Sequence, residues 1–189
     1  MSTDSEIIER SLATPRSFAE LYDRHAPFVH RYAARAVGAH AADDVRSATF
    51  LTAFERRGAF DLARPDALPW LLGIATNLLH RHGRTEMRAR RGMAESHRAV
   101  VAREAEEEAS DRLDAVRAVD AVRAELDRMP DREREVLLLH AWGGLDHAGV
   151  ARALGIPEGT VRSRLHRARR RLRPLVEDAQ GARTGAVDG

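Results

Sequence analysis

Phe18, Leu21, Tyr22, Phe28, Val29 and Tyr32 recur at helical spacing and predict an amphipathic helix that begins near Pro15 and Ser17. Gly38 is placed to end it. Val45, Ala48, Leu51, Thr52 and Phe54 predict a second helix. Asp43 and Asp44 precede that stripe, where carboxylates complement a helix N-terminus. The stretch RRGAFDLARPDALPW holds Gly58, Pro65 and Pro69 and reads as a loop. A third helix then runs from Asp66 or Leu68 to near Arg90. Trp70, Leu71, Ile74, Leu78 and Leu79 face its core side, and Gly73, Asn77, His80, Arg81 and Arg84 another face. Three such helices predict a small bundle.

From Met87 to Arg117 large apolar residues thin out and acids gather in REAEEEASDRLD, the pattern of a solvated helix or tether. Apolar periodicity returns with Val119, Val122, Leu126 and Met129. Pro130 and Asp131 stop one helix and start the next, which carries Val136, Leu137, Leu138 and Leu139. WGGL reads as a turn, and Asp146 opens a short helix through Val150, Ala151 and Leu154. Gly155 suits a left-handed helix end, and Pro157 the first turn of the helix that follows. Helix, tight glycine turn, helix is the signature of a helix-turn-helix.

The expected fold is therefore all-α: two small helical domains joined by a linker. A flexible leader covers residues 1–15, a helical domain 16–88, an acidic linker 89–117, a helix-turn-helix domain 118–175, and a disordered tail 176–189. No alternating Val/Ile/Thr segment argues for a sheet.

Charge sharpens the picture at one place. The net charge is only +2, from 31 basic and 29 acidic residues, and every one of those basic residues is arginine. Seven arginines fall between Thr160 and Arg173 with no acid among them. On that helix Val161, Leu165, Ala168 and Leu172 make one narrow apolar stripe. If the stripe packs inward, Gly159, Ser163, His166, Arg167 and Arg170 point outward, with Arg162, Arg164 and Arg171 on the flanks. A basic helix held by i,i+4 ion pairs is the plainer alternative, but Glu158 is the one acid nearby on the helix. A recognition helix accounts better for the pattern: its N-terminal residues approach base edges, arginine pairs bidentately with guanine, and flanking arginines meet phosphates.

Other chemistries are poorly served. With no cysteine, disulfides, thiolate zinc sites and thiol catalysis are excluded. His80 and His82 diverge on a helix, so no metal site is expected. No catalytic cluster stands out, and neither an enzyme nor a cofactor is expected. No basic-then-apolar leader and no bilayer-length apolar run is present, so the expected location is cytoplasmic, with no stable membrane insertion.

LDRMPDREREVLLLHAWGGLDHAGVARALGIPEGTVRSRLHRARRRLR resembles the C-terminal promoter-reading domain of bacterial extracytoplasmic function (ECF) sigma factors, members of the sigma-70 family. Leu126, Pro130, Arg134 and Val136 match the first part of the family run. Ala151, Leu154, Gly155, Ile156, Pro157, Gly159, Thr160, Val161, Ser163, Arg164, Leu165, Arg167, Ala168 and Arg169 match the second. FAELYDRHAPFVHRYAARAVG, AADDVRSATFLTAF and WLLGIATNLLHRHGR resemble the family's other domain. The likeness covers Phe18 to Arg84 and Leu126 to Arg173, with the central domain of housekeeping sigma factors missing between them.

The resemblance implies a subunit that binds core RNA polymerase and promoter DNA, with an anti-sigma factor as a candidate further partner. It implies −35 reading by Glu158, Thr160, Arg162, Ser163, Arg164, His166, Arg167 and Arg170. It implies −10 contacts by Trp70, Asn77, His80, Arg81 and Arg84, with the loop from Gly58 to Asp66 holding an extruded base. Asp43, Asp44 and Phe50 match the polymerase-contacting segment. The main alternative is a stand-alone helix-turn-helix regulator that needs no polymerase.

Overall fold

The computed structural model describes residues 2–92 and 120–185, with side chains described for 2–81 apart from residue 40, and for 120–177. The expected linker lies outside the described residues except for 89–92. Among the described residues there is no strand. The helices are α1 (Asp4–Ala13), α2 (Ala19–Val37), α3 (Ala39–Arg56), α4 (Leu68–Gly92), α5 (residues 120–128), α6 (Asp131–Ala141), α7 (His147–Leu154) and α8 (Glu158–Gly185). Short 3-10 turns at Pro15–Phe18 and Arg57–Ala59 join α1 to α2 and follow α3.

The leader is not flexible. Thr3 and Glu6 close a reciprocal capping box at the start of α1: the Glu6 N–H donates to Thr3 Oγ1 at 3.3 Å, and the Thr3 N–H to Glu6 Oε2 at 2.9 Å. Ile7 and Ile8 are wholly buried, each contributing about 1.5–3 kcal/mol by leaving water. Two adjacent apolar residues make no periodic stripe, which hides this helix from a pattern reading. The tail departs from expectation as well, since α8 continues across Pro174 to Gly185. Arg173 Nε donates to Glu177 Oε1 at 2.6 Å, an i,i+4 pair that supports the helix beyond the proline.

Helix α3 starts at Ala39, where Gly38 turns the chain at φ 83°, so Asp43 and Asp44 sit in its second turn rather than at its N-terminus. Its buried positions are Ala42, Val45, Thr49, Phe50 and Ala53, whereas Leu51 is 60% exposed. Tyr32 of α2 is buried, and its hydroxyl lies 2.9 Å from Thr76 Oγ1 of α4. Burial pushes that phenol up to about 12, with the nearby Glu135 adding to the rise and the Thr76 bond opposing it.

The two halves do not stand apart. One continuous core takes Leu21, Val29 and Leu71 from the first half and Val136, Val150 and Leu165 from the second. Leu71 to Thr76 are six consecutive buried residues, more than a full turn, so α4 is covered on opposite sides. Helices α2 and α3 lie on one side and α7 on the other. Gly73 makes the second contact feasible: a Cβ there would lie 2.4 Å from the Ala153 carbonyl oxygen. At the far end of the seam His80 Nε2 meets Glu135 Oε1 of α6 at 3.1 Å.

Candidate nucleic-acid interface

The candidate reading helix, α8, is aimed by its turn. Asp146 caps α7 by accepting from the Gly149 N–H at 2.6 Å. Gly155 then adopts φ 64° and ψ 36°, the left-handed conformation that glycine takes without a Cβ clash. The Ile156 N–H returns to the Ala151 carbonyl at 3.0 Å, and Pro157 offers its carbonyl to the Thr160 and Val161 N–H groups. Val161, Leu165 and Ala168 are buried. With that stripe fixed inward, Glu158, Arg162, Ser163, His166, Arg167 and Arg170 are exposed, and Thr160 and Arg164 are half-buried.

Two arginines are already paired, across helices rather than along α8. Arg167 Nε donates to Glu133 Oε1 at 2.8 Å, and Arg171 lies 3.4 Å from Glu133 Oε2 and 3.5 Å from Glu125. Counting acids on the helix alone missed both carboxylates, which come from α5 and α6. Arg162, Arg164 and Arg170 make no ion pair within 4.0 Å among the described residues, and so keep their fork of donors for an incoming anion. The Ser163 hydroxyl donates to the Thr160 carbonyl at 3.0 Å.

The −10 candidates on α4 divide by environment. Asn77 and Arg81 are exposed one turn apart. Arg84 is in α4, and its side chain is outside those described. Trp70 is half-buried against Phe60, ring centroids 5.1 Å apart, and closes the base of the preceding loop. His80 is engaged with Glu135. That hydrogen bond raises the imidazole above its ordinary value; partial burial opposes the rise, and the Glu135 and Asp131 charges reinforce it. The loop is internally braced: Asp61 Oδ2 accepts from Arg64 Nε at 2.9 Å, and Asp66 Oδ1 accepts from the Leu68 N–H at 2.9 Å to start α4.

In the segment expected to contact polymerase Asp43 and Asp44 are exposed, and Asp43 lies 3.0 Å from Arg46 and 3.5 Å from His30. Phe50 corrects the expectation. It is 5% exposed and meets Tyr22 edge-on with ring centroids 4.7 Å apart, so it belongs to the core beneath that surface. Its place among the inward positions of α3 withholds it from direct contact.

The described helices match known proteins in both halves. Residues 120–172 match the family model for sigma-70, region 4, and residues 21–89 the one for sigma-70 region 2. The chain is 34% identical over 179 residues to the ECF RNA polymerase sigma factor BldN of Streptomyces coelicolor, spanning 92% of this chain and 66% of that protein. It is 34% identical over 161 residues to the ECF RNA polymerase sigma factor SigL of Mycobacterium tuberculosis, spanning 84% of this chain and 88% of that one. The solved structure of CnrH in complex with the cytosolic domain of CnrY superposes with a TM-score of 0.63 at 25% identity, over 93% of this chain and 97% of that one. With region 2 in α2 to α4, region 4 in α5 to α8, and SigL matched over most of its length, the chain belongs to the ECF sigma factors of the sigma-70 family.

Proposed function

We propose that the chain binds core RNA polymerase in the cytoplasm and directs initiation at particular promoters, α4 meeting the −10 element and α8 the −35 element. One observation supports this reading: a single chain holds two helices that each expose a line of polar and basic side chains. In α8 the buried Val161–Leu165–Ala168 stripe turns Arg162, His166 and Arg170 to solvent, and in α4 Asn77 and Arg81 are exposed one turn apart. A stand-alone operator-binding regulator has no use for the second.

Division of labour follows the geometry. Glu158, Thr160, Arg162, Ser163, Arg164 and His166 occupy the first turns of α8, nearest the base edges. Arg167 and Arg170 lie farther along, where phosphate contacts set register. On α4, Asn77, Arg81 and Arg84 form the DNA-facing line. Trp70 supports the loop, and His80 joins the line once released from Glu135. Asp43 and Asp44 supply an acidic polymerase contact, with Phe50 supporting it from the core. The protein is not an enzyme and the reading needs no cofactor, because the polymerase supplies catalysis. An anti-sigma factor is a further proposed partner, given that CnrH is seen with the cytosolic domain of another protein.

Reconstituted transcription tests the reading. Purified chain plus bacterial core polymerase should start transcripts at discrete promoters that core alone ignores. Sequence-specific duplex binding with no core association would instead identify a regulator. Binding should weaken steeply with salt as phosphate contacts release counterions.

A further inference from the structure

We propose that Asp4 is a positioning residue for −10 recognition, mooring the loop between α3 and α4 in the shape that receives the promoter base. The inference rests on the reading that this loop meets −10 DNA. Helix α1 lies outside both matched sigma-70 regions, which begin at residues 21 and 120.

Asp4 is 3% exposed, yet its carboxylate is fully engaged. Oδ1 accepts from Arg24 Nη1 at 2.5 Å, and Oδ2 accepts from His25 Nε2 at 2.7 Å and from the Ala67 N–H at 2.9 Å. The Asp4 N–H donates to the Pro65 carbonyl at 3.0 Å. One residue thus grips the loop on both sides of Asp66, whose own side chain starts α4. The far end of α1 holds the other end of the loop. The Ser11 carbonyl accepts from Arg57 Nε at 3.4 Å, while Arg57 Nη1 donates to the Phe54 carbonyl at 2.5 Å. Helix α1 therefore lies as a brace from Arg57 to Ala67, across the segment that the function needs to hold in one conformation.

Stability alone is a poor reason for this arrangement. Ile7 and Ile8 already anchor α1 by apolar burial, whereas burying a carboxylate costs several kcal/mol before its partners offset it. What the carboxylate adds is direction: Arg24 and His25 hold it in place, its bond to the Ala67 N–H fixes Ala67, and the backbone bond fixes Pro65, to within hydrogen-bond tolerance. Ligand atoms of Asp4, His25 and Asp66 come within 4.8 Å of one another. The Arg24 guanidinium on the same carboxylate supplies the positive charge that a metal ion would, so the cluster is a mooring rather than a cation site.

The test is transcription by reconstituted holoenzyme from a promoter library randomised separately over the −10 and −35 elements. Asp4→Ala is compared with Ile8→Ala, which weakens α1 without touching the mooring, and with Arg64→Ala, which alters the loop itself. Asp4→Ala should reduce base discrimination at −10 about tenfold, since small misplacements of a recognition group cost that much or more. Discrimination at −35 and affinity for core should stay unchanged. Ile8→Ala should lower thermal stability with both profiles intact. Asp4→Asn, which keeps the shape, serves if the alanine variant is poorly folded, and should shift the −10 profile in the same direction. A folded Asp4 variant with an unchanged −10 profile, or one whose −10 and −35 profiles fall together, overturns the inference. If Arg64→Ala also leaves −10 discrimination untouched, the loop reading itself fails and takes the inference with it. If Arg64→Ala changes the profile and Asp4→Ala does not, only the mooring is wrong.

Discussion

Gly73 of α4 and Ala153 of α7 lie so close that a Cβ on residue 73 would fall 2.4 Å from the Ala153 carbonyl oxygen. The obstructing atom is backbone, so α7 cannot yield by a rotamer change. Alanine's higher helix propensity, about 1 kcal/mol over glycine, stabilises α4 equally whether the halves are packed or apart. The clash alone shifts the chain toward separated halves. Gly73→Ala should therefore enlarge the particle measured by small-angle X-ray scattering while each half stays helical. An unchanged radius would mean that the seam does not depend on this contact. Separation matters for function because the −10 and −35 elements lie about 85 Å apart along B-DNA at 3.4 Å per step. Helices that share one core cannot reach both at once, so the variant should retain promoter-directed initiation.

His80 and Glu135 add a pH dependence to the same seam. The imidazole is raised above 6.5, chiefly by its hydrogen bond to Glu135. A group whose value is raised by docking contributes fully below its undocked value and loses that contribution as pH rises through the docked one. The seam should thus be tighter at pH 6 than at pH 8. Fluorescence energy transfer between labels on the two halves should fall over that interval in the native chain and vary much less in Glu135→Gln. An identical pH response in both would remove the pair from the account.

The helix-turn-helix was legible because its signals are local. Asp146, Gly155, Pro157 and the apolar stripe of α8 each act within one or two turns, and the observed cap, left-handed glycine and buried stripe follow them. The contacts that were not legible join residues far apart in sequence. Arg167 finds Glu133 on α6, Gly73 faces Ala153 on another domain, and Asp4 finds Ala67. The inward place of Phe50 was hard to read for a related reason: the inward line of α3 runs through Ala42, Thr49 and Ala53, small residues that hydrophobicity alone does not mark. Helix α1 did carry a readable sign, Thr3 followed three residues later by Glu6, but too little periodicity to support it.

That capping box makes a stability prediction of its own. Thr3→Ala removes the side-chain acceptor for the Glu6 N–H and should cost about 1 kcal/mol. For a chain of this length that lowers the melting midpoint by about 2–4 °C, readable by circular dichroism. No change in the midpoint would mean that α1 frays without penalty.

Acid should loosen the same helix. Burial pushes the Asp4 carboxyl up, but hydrogen bonds from His25 and Ala67, the His25 charge and the Arg24 bond outweigh it and hold the carboxyl below 3.8. A depressed value contributes stability above the unfolded value and loses it as pH falls through the folded one. Below pH 3.8 the native chain should therefore lose stability more steeply than Asp4→Asn does. Equal slopes in acid titrations followed by circular dichroism would show that Asp4 stays ionised to no benefit.

The α8 arginines separate into two groups by their partners. Arg170 makes no ion pair among the described residues, whereas Arg167 holds Glu133, a carboxylate from α6 that is mostly buried. Arg170→Ala should weaken −35 duplex binding and reduce the salt slope by about one phosphate contact, leaving the melting midpoint unchanged. Arg167→Ala should weaken binding and also lower the midpoint, because Glu133 loses its nearest partner. Glu133→Gln supplies the contrary sign: it frees Arg167 for DNA, so duplex affinity should rise while stability falls. If Glu133→Gln instead weakens DNA binding, the pair serves to hold Arg167 in its reading position, and the ion pair belongs to the recognition surface rather than competing with it.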